Sequence, residues 1–164
     1  MNVDFITAIK LFFANYVNFR GRSTRAEYWF AVLFVFIVSM LLTMLGMSIL
    51  ANLFTLAVFL PNMAICFRRF HDTGRSGWWV IALVVLSLIG AGVMYVPMIP
   101  SIIQFANNPL GLQQALATYI TSHIGTVCTG GIIAMAAFVW QLIILVKPSA
   151  PDNKYGPNPY GENE

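Results

Sequence analysis

The chain has 164 residues, of which 59% are hydrophobic and only 9% are charged. Soluble domains carry about 25% charge. With a mean hydropathy of +0.76 and apolar residues in long blocks, an ordinary water-soluble globule is excluded and a bilayer protein indicated. The net charge of +3 is modest, so no nucleic-acid partner is expected, and the placement of the charges says more than their sum.

The first ten residues, MNVDFITAIK, contain Asp4 and lack a basic leading segment, and no small-residue cleavage site follows. They do not read as a secretory signal, and the mature chain is expected to begin near Met1. Residues 4–19 place Phe5, Ile9, Phe12 and Tyr16 on one helical face, with Ile6, Phe13 and Val17 alongside. Thr7, Lys10, Asn15 and Asn18 lie mostly opposite. This spacing predicts an amphipathic helix in the membrane interface, and the same face could instead pack on neighbouring helices.

From Tyr28 to Phe67 no residue is charged. The run is too long for one span and suits two, near 26–47 and 50–67, with a break around Gly46 and Asn52. Thr24 and Glu27 match a capping box at the start of the first. The second contains Pro61 and Asn62, read as a kink whose freed carbonyl and polar amide bond across helices. A third span is expected near 78–99. Asn108 and Pro109 then suit the cap and first turn of a short outer-surface helix. A fourth span, near 126–146, stops at Lys147–Pro148. Residues 148–164, rich in Pro, Gly and Asn, form a turn-rich tail. Its last few residues are expected to be disordered.

Four spans put all nine Lys and Arg residues on one side, and the loops around 47–50 and 100–124 contain none. By the positive-inside rule both termini are cytoplasmic. Trp29, Trp78 and Trp79 fall at the same helix ends, where indole rings favour headgroups. The expected architecture is therefore all-α: residues 1–147 form one membrane domain of four transmembrane helices, with an N-terminal interfacial amphipathic helix and a short outer-surface helix. Cys66 and Cys128 fall on opposite sides, so no intramolecular disulfide is expected. His71 and His123 are separated likewise, and no zinc spacing is present, so neither a metal nor a cofactor is expected.

The concentrated charge lies in NFRGRSTRAEYW (18–29) and RRFHDTGRSGWW (68–79), which should meet on the inner face. Six arginines and no lysine occur there. Topology needs only positive charge, whereas arginine adds a planar fork that grips phosphate or carboxylate. Arg22, Arg25, Arg68, Arg69 and Arg75, with Glu27, His71 and Asp72, are therefore candidates for binding an anionic phospholipid headgroup, a phosphate-bearing ligand or a partner. The plainer reading is that ion pairs staple the two loops together. His71 beside Asp72 raises acid–base chemistry, but no nucleophile motif or Walker-type phosphate loop accompanies the pair, and no enzyme is expected. The alternative function is a small transporter or channel, built as a homo-oligomer and centred on Pro61 and Asn62. Beyond Glu27 in the first turn of the first span, no Asp, Glu, Lys or Arg lies within the predicted spans to mark an ion route.

FRGRSTRAEYW, RRFHDTGRSGWW and NKYGPNPYG, in that order, resemble the bacterial inner-membrane family catalogued as domain of unknown function 805. The resemblance covers nearly the whole chain. It implies a small multi-span protein of the bacterial cytoplasmic membrane, with the tail docking on the inner loops through the family motif at Tyr155-Gly156-Pro157, and carries no established activity.

Overall fold

In the computed structural model of the chain, residues 3–105 and 107–161 are described. The expectations about Met1 and about disorder of the last few residues concern positions outside them. The regular elements among the described residues are helices: α1 (Phe5–Ala14), α2 (Arg25–Met44), α3 (Ser48–Asp72), α4 (Trp78–Tyr95), α5 (Ile99–Gln104), α6 (Pro109–Ser122) and α7 (Ile124–Val146). A 3-10 turn, Val96–Met98, joins α4 to α5. Among the described residues, four stretches are long and apolar enough to cross a membrane: Arg25–Met44, Ser48–Asp72, Trp78–Gln104 and Ile124–Val146. Most of their large apolar side chains are exposed, as suits a lipid solvent: Phe36 is 62% and Leu56 73% accessible.

The chain divides into two compact units, Met1–Val80 with Ile143–Glu164, and Ile81–Leu142. In the first, Phe12, Ala31, Val58 and Ile65 form a buried core flanked by Tyr28, Val35 and Phe54. Edge-on ring contacts pair Phe5 with Phe30, Phe13 with Phe34, and Phe34 with Phe54. Between the first two pairs α1 advances eight residues, about 12 Å, while α2 advances four, about 6 Å. Helix α1 therefore packs against the first half of α2. Its Phe5, Ile9 and Phe12, with Tyr16 in the turn that follows, are buried or half-buried against the neighbouring helices, and Ile6 and Phe13, with Val17 beyond the helix end, remain exposed as an apolar flank. An interfacial helix packed on one side and open to lipid on the other satisfies both faces.

Local signals explain the boundaries. Thr24 caps α2 by accepting from the Glu27 amide at 3.1 Å. Gly46, at φ +70°, makes the left-handed turn into α3, a conformation that costs glycine little. Helix α3 continues five residues past the predicted end at Phe67, because the charged groups of its last turn are paired rather than left to the bilayer. Pro61 is fully buried inside α3 and cannot donate to the Ala57 carbonyl one turn earlier. The Tyr16 hydroxyl donates to that carbonyl instead. The carbonyl that the proline orphans is thus satisfied from the turn that follows α1. Asn62 has no side-chain hydrogen bond among the described residues, so the expected polar bond across helices comes from Tyr16.

In the second unit α4 and α7 meet at glycines. A Cβ added to Gly90 would lie 2.7 Å from the Gly130 carbonyl oxygen and 2.9 Å from the Ala134 nitrogen. Only bare backbone permits this approach, the small-residue mode of packing between membrane helices. Asn108 caps α6 by accepting from the Gly111 amide at 3.0 Å, with Pro109 in the first turn, as its sequence requires. Tyr119 stacks on His123, with ring centroids 4.6 Å apart.

Candidate functional site

The last turn of α3 carries Arg68, Arg69, His71 and Asp72, and residues 15–27 and 145–156 close around it. Asp72 is completely buried. Its Oδ1 accepts from Arg22 Nε at 2.9 Å, and its Oδ2 accepts from Arg69 Nη1 and from the Ser149 hydroxyl at 2.6 Å. One carboxylate therefore joins two guanidinium groups from separate parts of the chain. A buried charge arranged this way is neutralised locally, and removal of either partner leaves the other stranded.

The arginines then use their remaining donors on backbone carbonyls. Arg22 Nη1 donates to Pro151 O and Gly156 O, both at 3.1 Å, and Nη2 to Asp72 O at 3.2 Å and to Ala150 O. With the bond to Asp72 Oδ1, all five of its N–H groups are engaged. Arg69 donates to Leu145 O at 3.1 Å and to Lys147 O. It thereby satisfies carbonyls at the end of α7, which a helix terminus leaves without partners. Arg68 donates to Ser23 Oγ at 2.8 Å, to Asn15 O and Asn18 O at 3.2 and 2.8 Å, and to Glu27 Oε1 at 3.4 Å. Glu27 also accepts from the Ser23 hydroxyl at 2.9 Å. A lysine ammonium has three donors and no planar fork, so it could not serve as many acceptors in these directions. That is a physical reason for arginine at 22, 68 and 69.

His71 faces the tail. Its ring stacks on Tyr155, with centroids 3.9 Å apart and planes within 5°. Its Nδ1 lies 3.2 Å from the Gly21 carbonyl, which can only accept, so that nitrogen bears the proton. Asn153 Nδ2 donates to His71 O at 3.1 Å, and Ala150 N to Asp72 O at 2.8 Å. Asp72 is turned to its arginines and Ser149, while His71 is turned to Gly21 and Tyr155. Arg25 and Arg75 are half-buried, and each has an interaction within the chain. Arg22, Glu27, Arg68, Arg69, His71 and Asp72 are thus brought into one cluster. Pro61 and Asn62 lie elsewhere on α3, and Pro61 is associated with Tyr16. Ser23, Ser149, Asn153 and the tail carbonyls were invisible as partners in the sequence, and the aromatic Tyr155 in NKYGPNPYG was the one signal that pointed to docking.

A family model described as "Protein of unknown function (DUF805)" matches residues 16–161, most of the chain and all of this cluster. The chain belongs to this family. The match to DUF805 takes in both arginine segments and the tail that closes on them. Two relatives from Escherichia coli (strain K12) are the inner membrane proteins YhaH and YhaI. Each is 43% identical to this chain, over 81 and 77 residues respectively. Each alignment covers 43% of this chain, with 67% of the length of YhaH and 65% of YhaI, the latter just under two thirds. No solved structure matches the chain. The description of DUF805 assigns no activity to its members.

Proposed function

We propose that the protein is a non-enzymatic bacterial inner-membrane protein, with both termini in the cytoplasm, that holds anionic phospholipid headgroups at its inner face. The observation that carries this reading is the exposure of Lys10, Arg20, Lys147 and Lys154 in the same unit as the saturated arginine cluster. Arg22, Arg68 and Arg69, with Glu27, His71 and Asp72, shape the face, and the exposed basic rim, helped by Arg25 and Arg75, contacts lipid. Trp78 and Trp79, at 73% and 49% accessible, suit the headgroup zone beside it. The inner-membrane names of YhaH and YhaI and the absence of Lys and Arg between residues 76 and 146 support the placement.

The test is native mass spectrometry from nanodiscs containing phosphatidylglycerol and phosphatidylcholine. Changing Lys10, Arg20, Lys147 and Lys154 together to Gln should lower phosphatidylglycerol retention by roughly tenfold or more, since each basic residue near the surface contributes about 1 kcal/mol. Retention equal to wild type would overturn the reading. Orientation is checked separately with an impermeant maleimide, in a background with Cys66 and Cys128 changed to Ala. Gln113→Cys should label in intact spheroplasts and Lys154→Cys only after lysis.

A further inference from the structure

A pocket of about 650 Å3 lies where the chain enters α2 and leaves α7, walled by Arg25, Pro148, Ser149, Pro151, Asp152 and Asn158. Its size is that of small-ligand sites, roughly 300–1,000 Å3. Arg25 is the first residue of α2, and Pro148 comes just after the end of α7. The pocket therefore sits at the ends of two membrane-spanning helices, at the depth of lipid headgroups.

Its walls carry both signs of charge. Arg25 has an interaction within the chain, but a guanidinium has five donors and can serve a ligand as well. Asp152 is exposed, and its Oδ1 accepts from the Asn158 amide nitrogen at 2.7 Å, which leaves a second carboxylate oxygen for a ligand. Asn158 Oδ1 accepts from Tyr160 N at 3.1 Å, so its side-chain NH2 is the group left to donate. Ser149 Oγ donates its proton to Asp72, so toward a ligand it acts as an acceptor. A simple anion would be repelled by Asp152, and a simple cation by Arg25. A molecule carrying a phosphate and, a few bonds away, a primary ammonium would be attracted by both.

We propose that this pocket binds a phosphoethanolamine group, its phosphate held by Arg25 and Asn158 and its ammonium by Asp152 and Ser149. The group belongs either to a bilayer phospholipid or to a soluble phosphoester. This goes beyond the anionic-lipid reading and can hold or fail without it, because it concerns a zwitterion and turns on Asp152, which that reading does not use.

The test uses the full chain in nanodiscs of equal phosphatidylethanolamine, phosphatidylcholine and phosphatidylglycerol, read by native mass spectrometry. Calorimetry of the detergent-solubilised protein with glycerophosphoethanolamine forms the soluble arm. Wild type should retain phosphatidylethanolamine about tenfold over phosphatidylcholine, whose quaternary nitrogen cannot donate to a carboxylate. Asp152→Asn, which keeps the acceptor for Asn158, should abolish that preference without lowering phosphatidylglycerol retention. Retention from the bilayer without soluble binding assigns the lipid as source, and soluble binding alone, lost in Asp152→Asn, assigns the free phosphoester. Equal retention of the two zwitterionic lipids with no soluble binding would overturn the proposal, and that comparison needs no variant. A preference that survives in Asp152→Asn would overturn it too.

Discussion

Each of the two compact units is held together internally, and the means are opposite. All nine basic and all six acidic residues lie outside Ile81–Leu142. In the unit that carries them, a carboxylate and three arginines bind loop, helix end and tail by directed hydrogen bonds. In the uncharged unit, α4 and α7 approach until backbone touches backbone at Gly90 and Gly130. Lipid tails are as apolar as leucine, so burial of apolar surface supplies little attraction between helices in a membrane. What remains is polar bonding where water or headgroups are near, and close packing where they are not. The charged unit uses the first and the uncharged unit the second.

The comparison is broken most severely at Asp72. Asp72→Ala strands Arg22 and Arg69 in a buried site, which should cost about 3–5 kcal/mol. The expected result is a large fall in the thermal midpoint of detergent-solubilised protein, or failure to recover folded material. A midpoint like that of wild type would show that the cluster does not hold the tail. Next comes the uncharged unit. Gly90→Leu must push against the Gly130 and Ala134 backbone and should destabilise by about 1–3 kcal/mol. Gly92→Leu, two residues along α4 with nothing within 4 Å of an added Cβ, is the control and should be close to neutral. Equal losses in both would indicate a general glycine effect instead of a close crossing.

The Tyr16 bond sharpens the comparison, because it brings directed hydrogen bonding into a span. Tyr16→Phe should cost about 1 kcal/mol by leaving the Ala57 carbonyl without its donor. Pro61→Ala restores an amide hydrogen one turn away, so adding Tyr16→Phe to that variant should cost much less. Additive losses in this double-mutant cycle would refute the assignment of the hydroxyl to the carbonyl that Pro61 frees. The smallest effects belong to the caps. Thr24→Ala and Asn108→Ala should each lose about 1 kcal/mol or less, one in each unit. Chemical denaturation by far-ultraviolet circular dichroism would check whether the two losses are alike.

Much of the architecture was legible in the chain. Uncharged runs marked the spans, Thr24 and Asn108 marked helix starts, and Gly46 marked the break between α2 and α3. Other features depend on residues far apart in sequence. That α3 runs to Asp72 depends on Arg22, fifty residues earlier, and Ser149, seventy-seven later. That Phe5, Ile9 and Phe12 pack on helices while Ile6, Phe13 and Val17 stay exposed depends on where α2 and α3 lie, since both rows are apolar.

The sequence by itself determined that this chain is helical, suited to a membrane, and charged only outside residues 81–142, because hydropathy and charge act along the chain, residue by residue. It also showed that arginine, not lysine, occupies the two charged motifs. Only the tertiary structure decided what those arginines touch, where the Ala57 carbonyl freed by Pro61 finds its partner, and that the tail closes on α3. A fork with five donors takes its meaning from the acceptors in front of it, and here most of those are main-chain carbonyls, which every residue carries and no sequence pattern singles out.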